Sequence, residues 1–336
     1  MHPHLSLRSF ITATLPDLGR EIYCVCATLF KLMIPIIILV KILEELGAIP
    51  LLSRLLEPLM TLVGLPESMG LVLTANLLSN MYAGMLLFYQ LAPEQTLTVA
   101  QVTVLCGMML IAHSLPVEVR IVQKAGVRLP VALGIRLGGA LLFGILLHQL
   151  YSWGGWLQQP VTLAWTPPPV DNSWHGWLLG QLQSLVVIVL IISTLISLLR
   201  LLRWLHIERL MIWLLRPVMR LLRIGEQATS LTIIGITLGL AFGGGLLIRE
   251  AQSGRISRRD VFAALCLLSL CHSLIEDTLL VLLLGADLAA VLWGRLLFSL
   301  VFVALMTRWL DRTSPAFQQR YLFRPLHDAP REPVHA

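Results

Sequence analysis

Charge is what this chain has least of. Only 13% of its 336 residues are Asp, Glu, Lys or Arg, about half the share of an ordinary soluble domain. Hydrophobic residues make up 57% and the mean hydropathy is +0.80, which excludes a water-soluble globular chain. Cysteine is scarce too. The five present (Cys24, Cys26, Cys106, Cys266 and Cys271) lie in apolar stretches and form no spaced pairs in loops, so a disulfide framework and a thiolate zinc site are not expected. Signatures of soluble enzymes are missing: no phosphate-cradling GxxxxGK[ST], no HExxH, no GxSxG elbow. Cys271-His272-Ser273 sets a thiol and a hydroxyl beside a histidine, but neighbours on a helix point apart. Its counterpart Ala112-His113-Ser114 lacks the thiol. No enzyme, cofactor or metal is expected. The net charge of +6 resides in membrane-flanking loops, so nucleic acid is not an expected partner. The start of the chain shows no cleavable leader pattern, and the N-terminus is expected to be retained.

What the chain has in abundance is long apolar runs. Eight stand out, at roughly 22–46, 67–91, 99–117, 130–150, 178–202, 228–248, 260–284 and 288–309. Most approach the ~20 residues that carry a helix across ~30 Å of hydrocarbon. Backbone groups in lipid must be satisfied within their own segment, which predicts helices, and the alternating ~10-residue segments of a membrane barrel are absent. The fold class is an all-α polytopic membrane protein.

The chain also says one thing twice. HSLPVEVRIVQKAG around His113 returns as HSLIEDTLLVLLLG around His272, 159 positions later. At that offset Pro58 falls on Pro217, Glu67 on Glu226, Gly84 on Gly243, Gly126 on Gly285 and Arg136 on Arg295, while Glu118 falls on Asp277 and keeps the carboxylate. Coincidences of His, Arg, Pro and Glu in one register mark an internal duplication. The expected organisation is a cytoplasmic N-terminal segment (1–27), a first repeat (28–150), an outer-face linker (151–177), a second repeat (178–310) and a cytoplasmic tail (311–336).

Basic residues mark cytoplasmic loops, and they swap sides between the copies. Residues 47–98 hold only Arg54, whereas their counterparts 206–257 hold Arg209, Arg216, Arg220, Arg223, Arg249 and Arg255. Residues 116–131 hold Arg120, Lys124 and Arg128, whereas 275–290 hold none and carry Glu276, Asp277 and Asp287. This predicts two inverted repeats related by a pseudo-two-fold axis in the membrane plane. Each would have three spans, an interfacial helix (50–63 or 207–223) and a re-entrant hairpin (67–91 or 228–248). In the alternative, both hairpin segments cross fully and the copies run parallel.

Three groups of residues could carry chemistry. The hairpin tips read TANLLSNMYAG, with Asn76 and Asn80 one helical turn apart, and GITLGLAFGGG, with Gly239 and Gly243. Buried asparagines need partners and glycines permit close packing or an unwound turn, so the tips could contact substrate or only cement helices. In the HSL segments, Pro116 is expected to break the helix after His113 and Ser114, exposing backbone groups at mid-depth. His272 and Ser273 are followed by Ile275 instead. The histidines could donate hydrogen bonds or carry a proton. Finally, Glu118 with Arg136 and Asp277 with Arg295 are expected to form ion pairs between adjacent helices, since charge within a span needs a partner. Near the proposed axis, His113 and His272 should converge on one centre.

TANLLSNMYAGMLL followed by HSLPVEVRIVQKAG resembles the nucleoside recognition, or Gate, domain. That domain is shared by bacterial spore maturation membrane proteins, the membrane part of ferrous-iron transport protein B and, distantly, concentrative nucleoside transporters. GLAFGGGLLIREAQSGRISRRD and HSLIEDT resemble its second copy in stand-alone members. The resemblance covers most of 28–150 and 178–310. It implies an inverted-repeat protein of the bacterial inner membrane and, by association, transport of a small polar or anionic solute. Iron is disfavoured, because the GTPase and the cysteine-containing Gate motifs are absent. Its expected partners are the bilayer, the solute, and a second copy or another membrane protein. Two other classes stay open: a non-transporting assembly subunit like the spore maturation proteins, and an intramembrane enzyme acting on lipid-linked substrates.

Overall fold

The structure, a computed structural model, describes residues 7–46, 48–163, 174–204, 256–324 and scattered positions between 213 and 253. Among these, every regular element is helical, apart from two isolated bridges, Thr98–Pro160 and Val127–Phe323. That is what an apolar chain without water to satisfy its backbone must do. In order, the helices are α1 (Leu7–Glu45), α2 (Ala48–Leu62), α3 (Met69–Leu78), α4 (Met81–Leu91), α5 (Val99–Ile111) and α6 (Leu115–Lys124). They continue with α7 (Leu129–Gly154), α8 (Trp174–Trp204), α9 (Arg258–Leu270), α10 (Glu276–Leu283) and α11 (Ala289–Arg312).

Three segments are long and apolar enough to cross a bilayer: α7, the Leu178–Leu198 part of α8, and α11. α5 and α6, bent by 41° at their junction, would make a fourth. The α3 and α4 helices pack side by side and break at Ser79–Asn80. With 10 and 11 residues, each reaches only about half the hydrocarbon thickness at 1.5 Å per residue. The matching segment 228–248 lies mostly outside the described residues.

The chain forms two compact units. One comprises Met1–Ile49 and Thr166–Ile207, the other Pro50–Trp165 and Glu208–Ala336. Each repeat therefore gives its first long helix to the smaller unit and the rest to the larger. In the smaller unit α1 packs on α8, and Arg200 pairs with Glu21 at 2.9 Å, a half-exposed contact worth well under 1 kcal/mol or so.

The duplication is visible in the larger unit as repeated backbone devices. The ends of α5 and α9 differ by the same 159 positions. Both begin on a hydroxyl N-cap: Thr98 accepts from Gln101 N, Ser257 from Asp260 N. Each cap satisfies a donor that the first turn leaves free. Both helices are buried along nearly their whole length. Further on, Gly126 (φ 106°) and Gly285 (φ 92°) turn the chain in a conformation that only glycine adopts cheaply. Each copy then enters its last span through a π turn, Gly134–Gly138 or Ala289–Gly294.

Candidate functional site

The site is built on two interruptions. α5 stops at Ile111 and the chain resumes as α6 at Leu115; α9 stops at Leu270 and resumes as α10 at Glu276. At each break a serine takes the left-handed conformation, Ser114 at φ 48° and Ser273 at φ 46°. That costs about 1–2 kcal/mol for a residue with a Cβ and persists only where the surroundings hold it. They do so with long-range backbone bonds: Ser114 N donates to Asn76 O (3.1 Å) and Leu274 N donates to Ile236 O (3.0 Å). Ser114 O accepts from the amides of Val117 and Glu118, and Ser273 O from that of Asp277. In the first copy the break falls where Pro116 was expected to place it, since a residue without an N–H could not bond back to Ala112 O in a continuous helix. Pro116 sits in the first turn of α6, where its missing N–H costs nothing, and the second copy breaks at the same place with Ile275.

Each break presents a histidine. His113 Nδ1 lies 3.1 Å from Met109 O and His272 Nδ1 lies 2.7 Å from Leu268 O. A carbonyl can only accept, so Nδ1 carries a proton; Nε2 then offers a lone pair in the neutral ring and a second donor in the imidazolium. The two Nε2 atoms meet at 3.0 Å, with the rings 4.8 Å apart between centroids. Both side chains are buried. The predicted convergence of the two histidines is a feature of the structure.

Carboxylates from the first turns of α6 and α10 close around them. Glu118 Oε1 lies 3.1 Å from His272 Nε2 and 3.3 Å from His113 Nε2. Asp277 Oδ2 lies 3.5 Å from His113 Nε2. Each carboxylate thus reaches across to the histidine of the other copy. Ligand atoms of His113, His272 and Asp277 fall within 4.8 Å of one another, an arrangement that the expectation of no metal did not foresee.

The arginines behave differently from each other. Arg136 is fully buried, donates from Nη2 to His113 O at 3.1 Å, and makes an ion-pair contact from Nη1 to Glu118 Oε2. That contact lacks the alignment of a hydrogen bond. Arg295 is also fully buried, yet none of its guanidinium nitrogens has a hydrogen-bond partner among the described residues. The expected pair between Arg295 and Asp277 is not formed: Asp277 faces His113, and Arg295 lies next to the Cys271 thiol. Two differences accompany this: Asp277 is one methylene shorter than Glu118, and the arginines stand differently in their π turns. Arg136 lies inside its turn and Arg295 just after its own, and the extra residue of a π turn changes the direction in which the next side chains leave the helix.

The asparagines have structural partners. Asn76 is fully buried and donates to Met109 O (3.2 Å) and Ala112 O (2.9 Å), the carbonyls that the end of α5 leaves open. Its Oδ1 has no hydrogen-bond partner among the described residues. Asn80 Oδ1 caps α4 through Ala83 N at 3.0 Å. Ser114 and Ser273 contribute their backbones to the breaks, and Gly239 and Gly243 lie outside the described residues. The π turns beneath the arginines are the feature that sequence reasoning missed, and no residue pattern in either span announces them.

An all-helical, duplicated membrane protein whose broken helices meet at a buried His–carboxylate–Arg cluster is the class that this fold and site define. The nucleoside recognition (Gate) family model matches residues 26–126. The chain is also 31% identical over 294 residues to the uncharacterized membrane protein YvoD of Bacillus subtilis (strain 168), covering 85% of this chain and 90% of YvoD. The chain belongs to this Gate family of membrane proteins. No solved structure matches it.

Proposed function

We propose that this protein is a secondary transporter that carries a small anionic solute across the bacterial inner membrane, through two inverted repeats, and binds it beside Arg295. The observation that carries the reading is the fully buried Arg295 guanidinium, which has no carboxylate against it among the described residues and only the Cys271 thiol beside it. A guanidinium cannot shed its proton in a protein, and an uncompensated buried charge costs several kcal/mol, roughly 3–5. An anion with two or more oxygens would supply the missing acceptors in the bidentate geometry that arginine favours. The broken helices support the same reading, since transporters with inverted repeats assemble their sites from such interruptions. The swap of basic residues between equivalent loops supports the inversion.

The test is solute-driven flux in proteoliposomes of the full chain. Mono- and dicarboxylates, nucleoside monophosphates and neutral nucleosides serve as probes. Flux of an anion that Arg295→Met abolishes is the expected result. Flux of neutral nucleosides alone would overturn the anionic class. No flux with any probe, together with co-purification of a second membrane protein, would transfer the chain to the assembly-subunit class.

A further inference from the structure

We infer that His113, His272, Asp277 and Glu118 form a binding site for a divalent first-row transition-metal cation of the zinc type. The inference starts from the direction of four pairs of electrons. Both imidazoles spend their Nδ1 protons on backbone carbonyls, so in the neutral rings both Nε2 atoms approach as acceptors at 3.0 Å. Glu118 Oε1 adds an acceptor beside both Nε2 atoms, and Asp277 Oδ2 adds one beside that of His113. With both rings neutral, these acceptors repel one another until a cation, a metal ion or a proton, stands between them, and we argue for the metal ion.

The spacing identifies the cation's size. Zinc bonds to nitrogen and oxygen of ~2.0–2.1 Å place the corners of a tetrahedron about 3.3–3.4 Å apart. Four of the six separations among these atoms are 3.0, 3.1, 3.3 and 3.5 Å, and Asp277 stands further out, its ligand atom within 4.8 Å of those of His113 and His272. Imidazole nitrogens favour zinc and its transition-metal neighbours over calcium or magnesium, which take oxygen sets. An outer shell is also present. Metal-bound histidines usually donate their second N–H to a carbonyl, as both do here, and bound carboxylates are themselves held. Arg136 meets Glu118 Oε2 and leaves Oε1 for the centre. The set also leaves the cluster short of positive charge: two carboxylates face one paired arginine.

This site shares its neighbourhood with the proposed transport path but none of its evidence, since it rests on the histidines and not on Arg295. The test uses the full chain purified in mild detergent, stripped with chelator, and titrated with Zn²⁺ against a chromogenic competitor. Co²⁺ then serves as a visible reporter of geometry. Wild type should bind one Zn²⁺ that His113→Gln and His272→Gln each weaken at least about 100-fold, while His148→Gln leaves it unchanged. The strong absorption bands of four-coordinate Co²⁺ should appear and fade below about pH 6, as the imidazoles protonate. A monodisperse His272→Cys protein, which keeps a ligand at that position, should retain binding even if the glutamine variants fold poorly. Absence of Zn²⁺ binding by wild type overturns the site and leaves a proton shared between the imidazoles. Binding that survives both glutamine variants also overturns it, and points to histidines at the chain ends such as His2, His4, His327 and His335. Weak six-coordinate Co²⁺ bands overturn the tetrahedral assignment. Anion flux lost with Zn²⁺ binding intact would sink the transport reading alone, and the converse would sink the metal site alone.

Discussion

The two copies hold the same charged residues and use them differently. In the first, Glu118 and Arg136 close on each other and Arg136 also grips His113 O. In the second, Asp277 leans across to His113, and Arg295 has no carboxylate against it among the described residues. Their backbones nevertheless agree: equivalent N-caps, equivalent left-handed serines, equivalent glycine turns. Duplication has preserved the devices that break the helices and released the side chains around the breaks. One copy is a closed clamp and the other an open cationic seat, a division of labour that a symmetric pair could not offer.

Sidedness offers the largest contrast, because it is all or none. In a background without the five native cysteines, single cysteines at Glu94 and Gly254 should label from opposite faces of the membrane, Glu94 from outside. Labelling from one face would make the copies parallel. Next come the arginines. Arg136→Met leaves Glu118 buried without its cation and should lower stability by about 3–5 kcal/mol. Arg295→Met removes a charge that has no carboxylate partner among the described residues and should leave thermal unfolding in detergent unchanged or raised. Equal losses would mean that the two copies are electrostatically alike.

Smaller effects should follow at the helix ends. Asn76→Ala strips Ala112 O of its side-chain donor and Met109 O of one of two, His113 Nδ1 being the other, and should cost about 1–3 kcal/mol. The equivalent residue is Gly235, where even a Cβ would meet Leu268 Cδ2 at 2.6 Å. Gly235→Asn should therefore destabilise through overpacking, by about 1–3 kcal/mol, and gain no cap. The smallest change concerns the serines. Ser114→Gly and Ser273→Gly relieve the left-handed strain in both copies and should raise stability by up to about 1 kcal/mol, equally if the breaks are equivalent. Denaturation monitored by tryptophan fluorescence would measure all of these.

Much of this was legible in the sequence because periodic and categorical signals survive without coordinates. Long apolar runs gave the helices, and the recurrence of His, Glu or Asp, and Arg in one register gave the residues of the centre. The meeting of His113 with His272 followed from symmetry. What escaped was directional. Nothing in the letters marks a π turn, or tells that Arg136 reaches a carboxylate and that Arg295 has none against it among the described residues. Pro116 marks the break in the first copy, whereas the second has Ile275 there and only the left-handed Ser273 is common to both, a conformation with no composition signal. Asn76 and Asn80 were recognisable as residues in need of partners, but which partners depended on where α5 ends.

The way each repeat lends its first helix to the smaller unit, while the remainder builds the larger one, sets a timetable for synthesis. A ribosome adding about 5–20 residues each second produces His272 roughly 10–30 s after His113. Throughout that interval the first half waits in the bilayer with half a cluster. Because Glu118 and Arg136 belong to that half and neutralise each other, it can wait without an exposed net charge. Arg295 comes late in the chain and needs no such provision: by the time it enters, the scaffold that must shelter it is already there.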